Sequence, residues 1–117
     1  MASEDEARER ESEQIADTMF ALSSPVRVRL LGCLMSAPHN VSELMQATGM
    51  EQSAVSHQLR VLRDHGLVTA QRLGRQRVYA IADEHVASLL DAARQHALRR
   101  DGREPRSRLA RMLRRAT

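Results

Sequence analysis

The stretch Thr48-Gly49-Met50-Glu51-Gln52-Ser53-Ala54-Val55-Ser56-His57-Gln58-Leu59-Arg60-Val61-Leu62-Arg63-Asp64-His65-Gly66 decides the fold. Gly49 reads as the C′ glycine of a short helix over residues 42–48, and Gly66 as the stop of a longer one over residues 51–65. Within the longer helix Val55, Leu59 and Leu62 recur at spacings of four and three, the apolar stripe of an amphipathic helix. Working backwards, Pro38-His39-Asn40 reads as a loop. Ser24 and Pro25 read as the N-cap and first residue of a helix reaching about Met35, with Val26, Leu30, Leu31 and Leu34 on one stripe. Ile15, Met19, Phe20 and Leu22 carry helical spacing from about Ser12. Working forwards, the period changes from helical to alternating. Residues 67–73 and 76–81 flank Gly74-Arg75 as a hairpin. Asp83 then reads as the cap of a last long helix over residues 84–100, with Val86, Leu89, Leu90, Ala93 and Ala97 as its stripe and Gly102 as its end. Residues 107–115 read as one more basic helix or a tail. The order short helix, glycine turn, longer helix, hairpin predicts a mainly α chain with a small β-hairpin, a winged helix-turn-helix.

Composition fits this architecture. In 117 residues the chain has two aromatics, Phe20 and Tyr79, and no Trp. Its core must therefore come from Leu, Val, Ile, Ala and Met, which suits packed helices. No apolar run approaches membrane-spanning length, no basic-then-apolar leader opens the chain, and Cys33 stands alone. These features point to a cytoplasmic protein with neither an internal disulfide nor a Cys-built zinc site. Charge is unevenly distributed: residues 1–17 carry net −5, residues 18–82 net +4 and residues 83–117 net +4, and all 18 basic residues are Arg. Three segments follow: an acidic, flexible leader over residues 1–11, a winged-helix DNA-binding and dimerisation domain over residues 12–100, and a basic tail or short helix over residues 101–117. A basic body suits nucleic acid better than an acidic substrate, although Arg-only usage also reflects genome composition.

The outer face of the longer helix carries Gln52, Ser56, Arg60 and Arg63 in one row and Ser53, His57 and Arg60 in a second. Short polar groups near the start of a helix suit base edges in a major groove, and arginines further along suit phosphates. The hairpin adds Arg72, Arg75 and Arg77, with Arg75 at the tip where a narrow, electronegative groove would attract it. A merely solvated face is the plain alternative for any single helix; the joint pattern with a basic hairpin argues against it.

Residues 50–63, together with Ala21-Leu22-Ser23-Ser24-Pro25-Val26-Arg27 and Gly74-Arg75-Gln76-Arg77-Val78-Tyr79, strongly resemble the ArsR/SmtB family of bacterial regulators. The resemblance covers roughly residues 15–100 and is strongest toward the actinobacterial nickel/cobalt sensors. It implies a homodimeric winged-helix repressor, dimeric through its terminal helices, that binds double-stranded operator DNA with an affinity changed by an effector, often a metal. On the matching positions it makes Gln52, Ser53, Ser56, His57 and Arg60 the DNA-reading residues.

A second constellation is Asp83, His85 and His96. Eleven residues separate the two histidines, about 1100° of helical turn, so both lie on one face, yet about 16 Å apart along the axis. A metal–nitrogen bond is only about 2 Å. One helix therefore cannot bring both to one ion, whereas two antiparallel copies can, giving two symmetric sites shared between chains. Carboxylate and imidazole donors suit a divalent ion such as nickel, zinc or cobalt. Nickel accepts water as a further ligand more readily than zinc does. The resemblance agrees: sensors of the family that bind on the last helix use Asp-x-His…His-x-x-(His or Glu). The first three ligands match here, and the fourth falls on Arg99, which has no lone pair to donate. The cysteine site that other members carry on the short helix is absent from residues 41–45. Ordinary interface histidines remain the alternative, which would leave a regulator of the same family acting without metal. A zinc hydrolase built on Asp83, His85 and His96 would lack a third clustered ligand, a base and a substrate cleft, so an enzyme is not expected. An architectural DNA-binding protein is the other class considered.

Overall fold

The computed structural model describes residues 3–101 and Arg115. Gly102 and the helix considered for residues 107–115, Arg115 apart, lie outside the described residues. The chain divides into two compact units, residues 1–84 and residues 85–117; the division falls inside the span 12–100 read above as one domain.

The first unit opens with α1 (Glu4–Ala21), followed by α2 (Pro25–Ser36), β1 (His39–Asn40), α3 (Val41–Thr48), α4 (Gln52–Asp64), β2 (Val68–Leu73) and β3 (Gln76–Ile81). α1 begins well before Ser12, so residues 4–11 of the segment read as a leader are helical. The physical reason is local. The Ser3 side chain accepts a hydrogen bond from the Glu6 N–H at 3.1 Å. Glu4, Asp5 and Glu6 place negative charge where the helix dipole is positive. Glu4 and Arg8, like Glu6 and Arg10, are spaced one turn apart with the acid first, the favourable order. Ala21 is the helix's buried residue, while Ile15, Met19 and Phe20 are exposed.

α2 starts where Ser24 and Pro25 place it, with the Ser24 hydroxyl accepting from the Arg27 N–H. Leu30, Leu31 and Leu34 are buried, whereas Val26, expected on the same stripe, is exposed and Cys33 is half-buried. α2 packs against α3, α4 and β3. Leu30, Leu31, Leu44, Val55, Leu59 and Leu62 have no solvent exposure. Each such side chain contributes about 1.5–3 kcal/mol relative to exposure.

The segment read as a loop around His39 contains β1, and the hairpin is part of a three-stranded antiparallel sheet in the order β1-β3-β2. His39 pairs with Tyr79 and Asn40 with Val78. Asn40 has two further roles. It closes a capping box with Glu43 at the start of α3, and its Nδ2 donates to Gln76 Oε1 at 3.1 Å. A two-residue strand carries too little periodicity to be legible in sequence. Its effect is to fix the start of α3 to the hairpin. Gly49 ends α3 in the left-handed conformation, φ 73°, with its N–H on the Met45 carbonyl, so the helix-turn-helix angle rests on a residue without Cβ.

Arg27 ties α1 to α4. Its Nε donates to the Ala21 carbonyl at 2.6 Å, Nη2 to the Phe20 carbonyl at 3.3 Å, and Nη1 to Gln58 Oε1 at 3.1 Å. One guanidinium thereby reaches two carbonyls at the end of α1, that of Ala21 and that of Phe20, which also accepts from the Ser23 N–H and hydroxyl, and it holds the middle of α4. His65, the C-cap of α4, lies 3.4 Å from an Asp17 carboxylate oxygen of α1.

The second unit contains α5 (Glu84–Arg100), at the span the sequence predicts. Val86 and Leu90 are its buried residues; Leu89 is half-buried and Ala93 and Ala97 are exposed. No described helix is long and apolar enough to cross a membrane.

Candidate nucleic-acid interface

α4 separates its two faces. Val55, Leu59 and Leu62 are sealed in the core, while Gln52, Ser53, Ser56, His57, Arg60 and Arg63 are exposed. The buried trio fixes the roll of the helix, which in turn aims the polar rows outward. Gln58, between the faces, is half-buried and engaged by Arg27. The helix start is open: Glu51 makes no side-chain cap, so the first N–H groups are left for solvent or a ligand.

The wing stands beside this face. Gly74, at φ 65°, takes the first turn position between β2 and β3, which glycine alone adopts freely in a two-residue hairpin. Arg72, Arg75 and Arg77 are all exposed, and Arg72 sits directly opposite Arg77 on the neighbouring strand. Like charges in directly opposed positions destabilise a sheet.

Between α4 and β3 lies a concavity of about 340 Å³ lined by Ser56, Leu59, Arg60, Arg63, Arg77 and Tyr79. It brings together Ser56, Arg60 and Arg77 from the set expected to touch DNA. Gln52, Ser53 and His57 lie elsewhere on the exposed side of α4, and Arg75 lies at the wing tip. Arg63, which the sequence places in the same outer row, as a phosphate-facing arginine, and Tyr79 join Ser56, Arg60 and Arg77 there. Arg63 continues the row of Ser56 and Arg60, a signal present in the spacing; the approach of Tyr79 depends on strand register and had no local signal.

Asp83 precedes α5, while His85 and His96 are exposed on it. Among the described residues of one chain, no group of three His, Cys, Asp or Glu side chains is clustered to hold a metal ion. A carboxylate with two imidazoles fits a borderline divalent cation chemically. Such donors would have to be completed by a second chain.

With the winged-helix architecture in place, comparison with known proteins identifies the group. Residues 24–70 match the family described as "Bacterial regulatory protein, arsR family". The chain is 54% identical over 84 residues to the HTH-type transcriptional regulator NmtR of Mycobacterium tuberculosis, covering 72% of this chain and 70% of that one. The solution structure of apo-NmtR superimposes with a TM-score of 0.67 at 50% identity, covering 76% of this chain and 75% of that chain. A homodimeric winged helix-turn-helix DNA-binding domain from Mycobacterium bovis, described as a possible ArsR-family regulator, gives a TM-score of 0.76 at 32% identity, covering 83% and 90% of the two chains. The chain belongs to the ArsR family and is a transcriptional regulator.

Proposed function

We propose that this regulator is a homodimeric, sequence-specific DNA-binding repressor whose operator affinity responds to a divalent metal, nickel foremost, with zinc or cobalt as the other candidates. The observation that carries the DNA reading is the exposed face of α4 beside an arginine wing, held by a buried Val55-Leu59-Leu62 stripe. Gln52, Ser53, Ser56 and His57 would meet base edges, Arg60 would bridge from bases to backbone, and Arg75 and Arg77 would meet phosphates. Dimerisation through the terminal helices would present two such faces to half-sites about one DNA turn apart. The homodimeric M. bovis neighbour supports this arrangement.

Asp83 and His85 of one chain with His96 of the other would hold the ion, which supplies a bond between chains. Anything that favours one spacing of the two α4 helices changes DNA affinity, by a coupling of about 1–3 kcal/mol that acts equally in the reverse direction. The resemblance to the nickel/cobalt sensors supports the metal reading. Arg99, exposed in the last turn of α5, supports a second one: a regulator of the same family that works without metal.

Selection of bound duplexes from a random pool tests the first part; recovery of a short inverted repeat is the expected result, and uniform recovery of all sequences would indicate an architectural protein. Calorimetric titration with nickel and with zinc, with and without the selected duplex, separates the two effector readings. Leu90→Arg followed by light scattering tests dimerisation through α5: a variant that stays dimeric places the interface elsewhere.

A further inference from the structure

The concavity between α4 and β3 has more positive charge than a solvated surface requires. Three of its six lining residues are arginines, Arg60, Arg63 and Arg77, and none is acidic. Among the described residues none of these three makes a side-chain hydrogen bond or an ion pair. Arg27, with its three acceptors, shows how this same chain treats a structural arginine. The walls come from two elements. Ser56, Arg60 and Arg63 follow one exposed row of α4 at spacings of four and three, with Leu59 at the edge of the buried stripe beside it, and Arg77 and Tyr79, two residues apart, lie on one face of β3. The floor is apolar or buried: Leu59 has no exposure and Tyr79 has 7%. The Tyr79 hydroxyl makes no hydrogen bond among the described residues, and no described buried side-chain polar atom lacks a partner, so this hydroxyl keeps contact with solvent. Guanidiniums gathered over a low-dielectric floor repel one another and focus a positive potential. The Arg72–Arg77 opposition in the sheet adds to that repulsion. An anion shared among them removes the cost.

We infer that this concavity is a seat for one phosphate group, gripped jointly by Arg63 and Arg77 with Arg60 at its edge. The inference rests on the DNA-binding reading and deepens it: the occupant is a single backbone phosphodiester of the duplex, held between helix and wing. Planar guanidinium forks match phosphate oxygens two at a time, and the Ser56 and Tyr79 hydroxyls supply further donors. A phosphate gripped from both elements would set the register of α4 in the groove without reading any base. The same oxyanion chemistry admits free inorganic phosphate.

The test uses the full chain and a random-sequence duplex, with affinity followed by fluorescence anisotropy across a salt series. Arg63→Ala and Arg77→Ala should each weaken binding several-fold and each lower the slope of log affinity against log salt by about one. The double variant should also lose about one, not two, because both arginines act on one phosphate. Arg8→Ala, which removes a charge from exposed α1, should leave the slope unchanged. In parallel, inorganic phosphate is titrated into DNA-free protein while the arginine Nε–H signals are recorded. The signals of Arg63 and Arg77 should follow one saturable curve that Arg72 and Arg75 do not share, and Arg77→Ala should abolish the response of Arg63. Coupled slopes with the duplex establish the phosphodiester as occupant. A saturable phosphate curve without that coupling keeps the seat and changes its occupant to the free anion. A slope loss of about two in the double variant, with no saturable phosphate curve, overturns the seat. Failure of the wild type to bind the duplex at about 50 mM salt would instead remove the DNA reading, and the phosphate titration would still decide the seat.

Discussion

α4 and α5 draw on similar residues, Leu, Val, Ala, His, Gln and Arg, and use them differently. α4 buries Val55, Leu59 and Leu62 without exposure, and its outward polar rows have a partner from the same chain, the wing, across a shared concavity. α5 buries only Val86 and Leu90 of its 17 residues, and the two histidines it offers lie three turns apart on one face. The first helix presents a surface that one chain completes. The second presents donors that one chain cannot complete, because a rigid helix fixes their separation. The proposed function of α4 is therefore open to single-chain reasoning, whereas a metal site on α5, as proposed, would need two chains.

The contrast can be broken at its strongest point by Leu59→Ala. This fully buried residue anchors α4 and floors the concavity, so thermal unfolding should show a loss of about 2–5 kcal/mol. A loss below about 1 kcal/mol would mean that α4 is held by something other than its apolar stripe. Arg27→Met tests the second anchor. It removes three charge-assisted hydrogen bonds from a half-buried site and should cost about 1.5–3 kcal/mol. Combined with Gln58→Ala, the two losses should be less than additive, since they share the contact between α2 and α4.

Two further changes sharpen the comparison at the level of ligands. Gln52→Ala should cost about 1–3 kcal/mol of discrimination at one operator position, whereas Arg75→Ala should weaken all duplexes alike; competition between selected and random duplexes reads the difference. On α5, Arg99→His restores the fourth donor of the family pattern. It should strengthen nickel or zinc binding several-fold by calorimetry and enlarge the effect of the metal on DNA affinity. Identical titrations for variant and wild type would make Arg99 a bystander and favour the metal-independent regulator.

Much of this was legible from local chemistry. Ser24-Pro25 placed the start of α2, Gly49 and Gly66 bounded the helix-turn-helix, and Gly74-Arg75 marked the wing turn, because caps and positive-φ turns are properties of a few adjacent residues. The start of α1 was also available in Ser3 and Glu6, a capping spacing, but the lack of an apolar stripe hid it. The strand at His39-Asn40 was not available, since its existence depends on Tyr79 and Val78 some forty residues later.

By itself, then, the sequence determined the helix order, the polar rows of α4, the basic wing and the family, all of which are written in short spacings. The tertiary structure decided which of those residues share a space. Arg63 and Arg77 line one concavity, Arg27 binds α1 to α4, and Asn40 joins the start of α3 to the wing. These pairings join residues 14, 31 and 36 positions apart. Such separations are set by how helices and strands pack, and no local periodicity encodes them.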